Sequence, residues 1–112
     1  RITDAELKLQ RWIVREPGSG TRQTFERAMH GILSDLDIAL ELQHTEAIKR
    51  AVEAGLGVGC LSRISLEDAF RRGTLVPLHV PQRDFSRELY LILHRDKFHS
   101  ATLRRWLDVC RA

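Results

Sequence analysis

The chain has 112 residues, 43% of them hydrophobic and 29% charged, with a formal net charge of +3 at pH 7 and two cysteines. This profile describes one domain able to bury a core, and it excludes a disordered segment, a disulfide-rich scaffold and a membrane-spanning unit, because no apolar stretch approaches the roughly 20 residues a bilayer requires. Basic and acidic residues alternate through most of the chain, the pattern of a solvated surface rather than of a nucleic-acid track.

In chain order, Thr3 with Glu6 forms a capping box that predicts a short helical turn before the first strand. The apolar run Trp12-Ile13-Val14 predicts that strand over about 11–15. Arg15-Glu16-Pro17-Gly18-Ser19-Gly20-Thr21-Arg22 then reads as a glycine turn opening a helix, with Ser19 or Gly20 as N-cap. The unpaired first N–H groups of a helix, its dipole and the small glycines together make a cradle for an anion or polar ligand. A turn that only caps its helix carries the same residues. This is no nucleotide phosphate loop, because Gly-Lys is missing before Ser or Thr and Arg22 points into the helix instead. It is no dinucleotide fingerprint either, because Gln23 stands where the third glycine belongs.

Phe25, Ala28, Met29, Ile32 and Leu33 fall at helical spacing, which makes Met29 a core residue and not a cofactor ligand. Ser34-Asp35-Leu36-Asp37 breaks the helix, and a second strand is expected over 38–42. The turn Gln43-His44-Thr45 starts the next helix, with Ala47, Ile48, Ala51 and Val52 inward, Glu46–Arg50 and Lys49–Glu53 as outward pairs, and Gly55 as its end. Val58-Gly59-Cys60-Leu61 has the unbroken apolar character of a strand covered on both faces. Ser65 with Asp68 suggests a second capping box, for a helix carrying Leu66, Ala69 and Phe70 that Gly73 stops. Further strands are expected over 75–80 and 88–94, separated by the loop Pro81-Gln82-Arg83-Asp84. Ser100 can cap an expected last helix with Leu103, Trp106, Leu107 and Cys110 on one stripe and Arg104, Arg105 and Arg111 on its polar side and end.

Strands alternating with helices define an α/β fold, a mostly parallel sheet flanked by helices, in which ligands sit beyond the carboxyl ends of the strands. The candidate ligand-binding residues are therefore Ser19, Gly20 and Thr21 in one strand-end turn and Gln43, His44 and Thr45 in another. His44 adds a ring whose protonation would favour an anion at lower pH, and a surface histidine after a strand would look the same. The five histidines lack metal-ligand spacing, Cys60 has no base beside it, and Pro17 occupies the place of the first glycine in a G-x-S-x-G elbow around Ser19. Neither catalysis, a metal nor a cofactor is expected. The separated cysteines point to a reducing compartment.

Three blocks together resemble the effector-binding domain of LysR-type bacterial transcriptional regulators. They are Trp12 to Arg22 (WIVREPGSGTR), Glu46 to Gly59 (EAIKRAVEAGLGVG) and Gly73 to Leu78 (GTLVPL), in the family's order and separation. The resemblance implies a periplasmic-binding-protein-like (type 2) lobe, truncated, with 1–112 as a partial effector-binding domain. About 12–80 would form the second lobe, and about 88–112 would return toward the first. The family's N-terminal DNA-binding helix-turn-helix falls outside this chain, which also lacks an initiator Met and reads as a piece of a longer protein. The resemblance further implies a cytoplasmic homo-oligomeric regulator without membrane contact. It would sense a small effector, a carboxylate or other anion, held between lobes by the six residues named above, and would touch DNA only through the missing domain. An extracytoplasmic solute-binding domain of a transport system shares the fold and is the alternative. If 88–112 lacks its first lobe, its apolar surface should dock onto this lobe or onto a partner chain.

Overall fold

The computed structural model describes residues 2–86 and 88–96. The first helix, α1 (Asp4–Lys8), is capped reciprocally by Thr3 and Glu6 as its capping box requires. It leads directly into β1 (Arg11–Arg15), whose central Trp12, Ile13 and Val14 are all buried. Next come α2 (Gly20–Ala28), β2 (Asp37–Leu42), α3 (Thr45–Glu53), β3 (Val58–Ser62), α4 (Arg63–Arg72), β4 (Leu75–Pro77) and β5 (Leu89–His94).

The five strands form one sheet in the order β2-β1-β3-β5-β4. β1 pairs in parallel with β2 and β3, whereas β5 pairs antiparallel with both β3 and β4. The expected mostly parallel sheet is thus a mixed one. The strands followed by crossover helices, β1 to β3, run one way, and β4 runs with them. β5 enters between β3 and β4 from the opposite direction because it follows β4 without a helix to carry the chain back. Of the segment expected to dock onto this lobe, the described strand β5 does so, burying Leu89, Leu91 and Ile92. The helix expected from Ser100 lies outside the described residues.

Alternation along the strands sends apolar side chains to both faces. On one face, Trp12, Val14, Val58, Cys60 and Leu91 pack with Leu7 and with Phe25 and Met29, the latter from the end of α2. Trp12 and Phe25 meet as tilted rings 5.4 Å apart, and the indole N–H donates to the Leu7 carbonyl at 3.0 Å. On the other face, Ile13, Leu61, Leu75 and Ile92 pack with Ile48 and Val52 of α3 and Leu66 and Ala69 of α4. Each fully buried large side chain contributes about 1.5–3 kcal/mol, so both faces hold the sheet.

Several boundaries differ from the pattern reading. α2 stops at Ala28, earlier than the spacing of Ile32 and Leu33 suggested, because Gly31 turns into the left-handed region (φ 92°) and a 3₁₀ turn follows at Leu33–Asp35. Ile32 stays buried without being helical. Ser65 does not cap α4: the helix starts directly from β3, and Ser62 Oγ accepts from the Ser65 N–H at 3.4 Å. Gly73, at φ 75°, ends α4 as expected. β4 is shorter than 75–80: it ends at Pro77, although the Leu78 N–H still donates to the Leu91 carbonyl at 2.8 Å. Lys49 is buried rather than outward: its ammonium donates to the Ser65 carbonyl at 3.1 Å and pairs with Glu46, not Glu53, at 2.9 Å.

Candidate functional site

The parallel register of β1 and β2 aligns Arg15 with Leu42, the last residues of the two strands. The turns that follow therefore leave the sheet side by side, one entering α2 on one face and the other entering α3 on the opposite face. Ser19, Gly20 and Thr21 begin α2, and Gln43, His44 and Thr45 begin α3. All six expected residues thus lie at one edge of the sheet, beyond the carboxyl ends of neighbouring strands.

The first turn is rigidly built. Gly18, at φ 96°, makes the reversal, and Ser19 Oγ caps α2 by accepting from the Arg22 N–H at 3.0 Å. That cap leaves the N–H groups of Gly20 and Thr21 as first-turn donors without a partner inside the helix. Arg22 does not simply follow the helix, as its position suggested. Its guanidinium folds back under the turn, where Nη1 donates to the Arg15 carbonyl at 2.9 Å and to Glu41 Oε2 at 2.6 Å, with Glu26 3.5 Å from Nε. Only 8% of Arg22 is exposed. One buried cation therefore ties together the end of β1, β2 and the start of α2.

The second turn is looser. His44 occupies the N-cap of α3 without any side-chain cap bond, and it is exposed. It stands close enough to Glu16 for its charged form to influence that carboxyl. Glu16 is held below its usual range first by the hydrogen bond from Arg15, then by its own backbone N–H, and to a lesser extent by the charges of Arg15 and His44. The Arg15–Glu16 pair, at 2.9 Å, sits at the mouth of the site.

Arg22, Glu41 and Glu16 were not among the expected site residues. The Arg22–Glu26 spacing on α2 was the one local signal for the first of them; its pairing with Glu41 depends on strand register and has no mark in the sequence. The edge presents backbone donors, hydroxyls and an imidazole, groups whose chemistry suits reversible binding. Cys60, the described cysteine, is remote from water, and burial pushes its thiol up to about 12, far from thiolate chemistry. Among the described residues no cluster of three or more His, Cys, Asp or Glu side chains could hold a metal ion, and no helix is long and apolar enough to cross a membrane.

An α/β lobe with its polar turns gathered at the carboxyl edge of the strands is a ligand-binding architecture. A family model described as the LysR substrate binding domain matches residues 1–112, and the chain belongs to that family. It is 44% identical over 109 residues to the uncharacterized HTH-type transcriptional regulator YeiE of Escherichia coli K12, a match covering 97% of this chain and 37% of that protein. It is 36% identical over 99 residues to the HTH-type transcriptional regulator CbbR of Rhodospirillum rubrum, covering 87% of this chain and 33% of that protein. It is also 37% identical over 101 residues to the phosphonates import ATP-binding protein PhnC of Anaeromyxobacter dehalogenans, covering 88% of this chain and 20% of that protein. The chain spans about a third of the length of the two regulators.

Proposed function

We propose that this domain is the effector-sensing part of a LysR-type, DNA-binding transcriptional regulator, and that it holds a small anion at the edge formed by Ser19, Gly20, Thr21, Gln43, His44 and Thr45. On this reading 12–80 is one lobe of a two-lobed, type 2 periplasmic-binding-protein-like domain, the effector sits between lobes, and DNA is reached through a separate helix-turn-helix domain. The parent protein works as a cytoplasmic homo-oligomer. Effector binding shifts the balance between lobe or subunit arrangements and so the spacing of the DNA-binding heads, a coupling typically worth 1 to 3 kcal/mol.

The observation that carries this reading is the placement of two helix starts, one with its cap and one without, side by side at the carboxyl ends of β1 and β2. Each start offers first-turn N–H groups that have no partner inside its own helix. The alternative of a solute-binding domain for transport uses the same chemistry, and the relatives named as regulators favour sensing. The ATP binding in the name of PhnC does not carry over, because the turn at Gly18–Arg22 lacks the lysine of a nucleotide phosphate loop.

The test is calorimetric titration of the parent regulator with sulfate and a panel of small carboxylates, beside Thr21→Ala. Alanine is well tolerated in the first turn of a helix, so the variant should fold. Loss of about tenfold or more in anion affinity, with promoter affinity unchanged, is expected. Equal anion affinity in the variant would remove Thr21 and the first turn from the site.

A further inference from the structure

We propose that the open cavity between α2 and the loop after Pro81 is a second ligand site, and that its ligand is a small zwitterion of the α-amino-acid type. The cavity measures about 290 Å³ and lies between Thr24, Arg27 and Ala28 of α2 and Arg83, Asp84 and Ser86 of the loop. That volume matches the lower end of small-molecule pockets, about 300 Å³. The site is distinct from the strand-end turns, since its α2 residues begin one turn beyond Gly20 and Thr21.

Arg83, on one wall, is tied through its side chain to three other residues. Arg83 donates from Nη2 to Asp4 Oδ2 at 2.8 Å and from Nη1 to the carbonyls of Ala28 at 3.2 Å and His30 at 2.6 Å. Those bonds consume its charge and join the N-terminal segment, the end of α2 and the loop. The Asp4 carboxyl is in turn held below its usual range, first by Arg83 and next by Gln82.

Two charges at the cavity are left uncommitted. Arg27, exposed on the helix, donates from Nη2 to its own neighbour Thr24 Oγ1 at 3.2 Å. Asp84, on the loop, accepts the Ser86 N–H at 2.8 Å through Oδ1. Neither forms an ion pair among the described residues. Ser86 is held at φ 60°, a left-handed conformation that costs a non-glycine residue about 1 kcal/mol, and the bond to Asp84 that stabilises it also fixes that carboxylate in place.

An unpaired guanidinium on one wall and an unpaired carboxylate on the other select a molecule that carries both opposite charges. Its carboxylate would take the Arg27 fork and its ammonium would take Asp84. A simple carboxylate meets the like charge of Asp84, and a simple amine meets that of Arg27, so each single-charged analogue is disfavoured.

The experiment is calorimetry on the full-length parent regulator with glycine, L-alanine and L-serine, using acetate and methylammonium as controls. Saturable binding of at least one amino acid is expected, with each control at least about tenfold weaker. Arg27→Gln and Asp84→Asn should each weaken amino-acid binding by about tenfold or more, and Thr21→Ala should leave it unchanged. Asn at 84 still accepts the Ser86 N–H, and unchanged melting temperatures would show that both variants keep the fold. The proposal is overturned if no amino acid gives saturable heat up to about 10 mM, if acetate binds equally well, or if both variants bind like the unchanged protein. Loss of amino-acid binding in Thr21→Ala alone would place the ligand at the strand-end turns instead, which sinks this site and leaves the effector reading standing.

Discussion

The starts of α2 and α3 flank the same pair of strands, yet they are built differently. At α2 a serine caps the helix, a glycine makes the reversal, and a buried arginine locks the turn onto β1 and β2. At α3 a histidine occupies the cap position without capping, and the helix is held by Ile48 and Val52 against the sheet rather than by its turn. One wall of the candidate site is therefore preformed, while the other keeps its donors open to solvent or a ligand. An edge built this way would offer a ligand positional accuracy on one side and adaptability on the other.

The comparison can be broken outright by disturbing the platform both turns share. Gly57→Ala would drive a β-carbon into the Arg11 carbonyl at the joint of β1 and β3, and we expect a loss of about 3 kcal/mol in urea unfolding. Next in size, Arg22→Ala should cost about 2 kcal/mol, because the Arg15 carbonyl and Glu41 lose a charged hydrogen-bond donor; hydrogen exchange should speed up at Glu16 to Thr21 before it does at α3. Smaller effects then sharpen the contrast. Ser19→Ala should cost about 1 kcal/mol, whereas His44→Ala should stay within about 0.5 kcal/mol, since no cap bond exists to be lost. Equal losses at the two positions would contradict the asymmetry.

The smallest expected effect depends on pH. Glu16 is held below its ordinary value of 4.5, so its ionised form favours the folded state. That contribution is complete above the ordinary carboxylate range and fades as pH falls through the lowered folded value. Glu16→Gln should therefore be slightly less stable than the unchanged chain at pH 7, and the difference should vanish in acid, as followed by thermal melts across that range.

Much of the lobe is legible in local chemistry. The capping box of Thr3 and Glu6, the apolar triplet of β1, the burial of Met29 and the stop at Gly73 each follow from residues within one turn or one strand of each other. Of the readings that changed, some turn on partners distant in sequence and others on local competition, as where Gly31 ends α2 early. Lys49 reads as an outward residue on helical spacing, but α4 packs beside α3 and offers it the Ser65 carbonyl. Ser65 reads as a cap because it precedes an acid by three residues, and Ser62 has already taken that role at the end of β3. The six candidate site residues were identified by the convergence of turns at strand ends, and the buried cation beneath them was not.

By itself the sequence determined most of the elements, their order and the apolar faces, because propensity, capping and periodicity act over a few residues, and the resemblance of three blocks in register pointed to the family. Only the tertiary structure decided that β5 enters the sheet against its neighbours, that Arg22 rather than a backbone turn alone fixes the first wall of the candidate site, and that Arg27 and Asp84 share one cavity. Those outcomes depend on strand register and on which groups remain unpaired after packing, and both emerge only when segments far apart in the chain compete for the same neighbours.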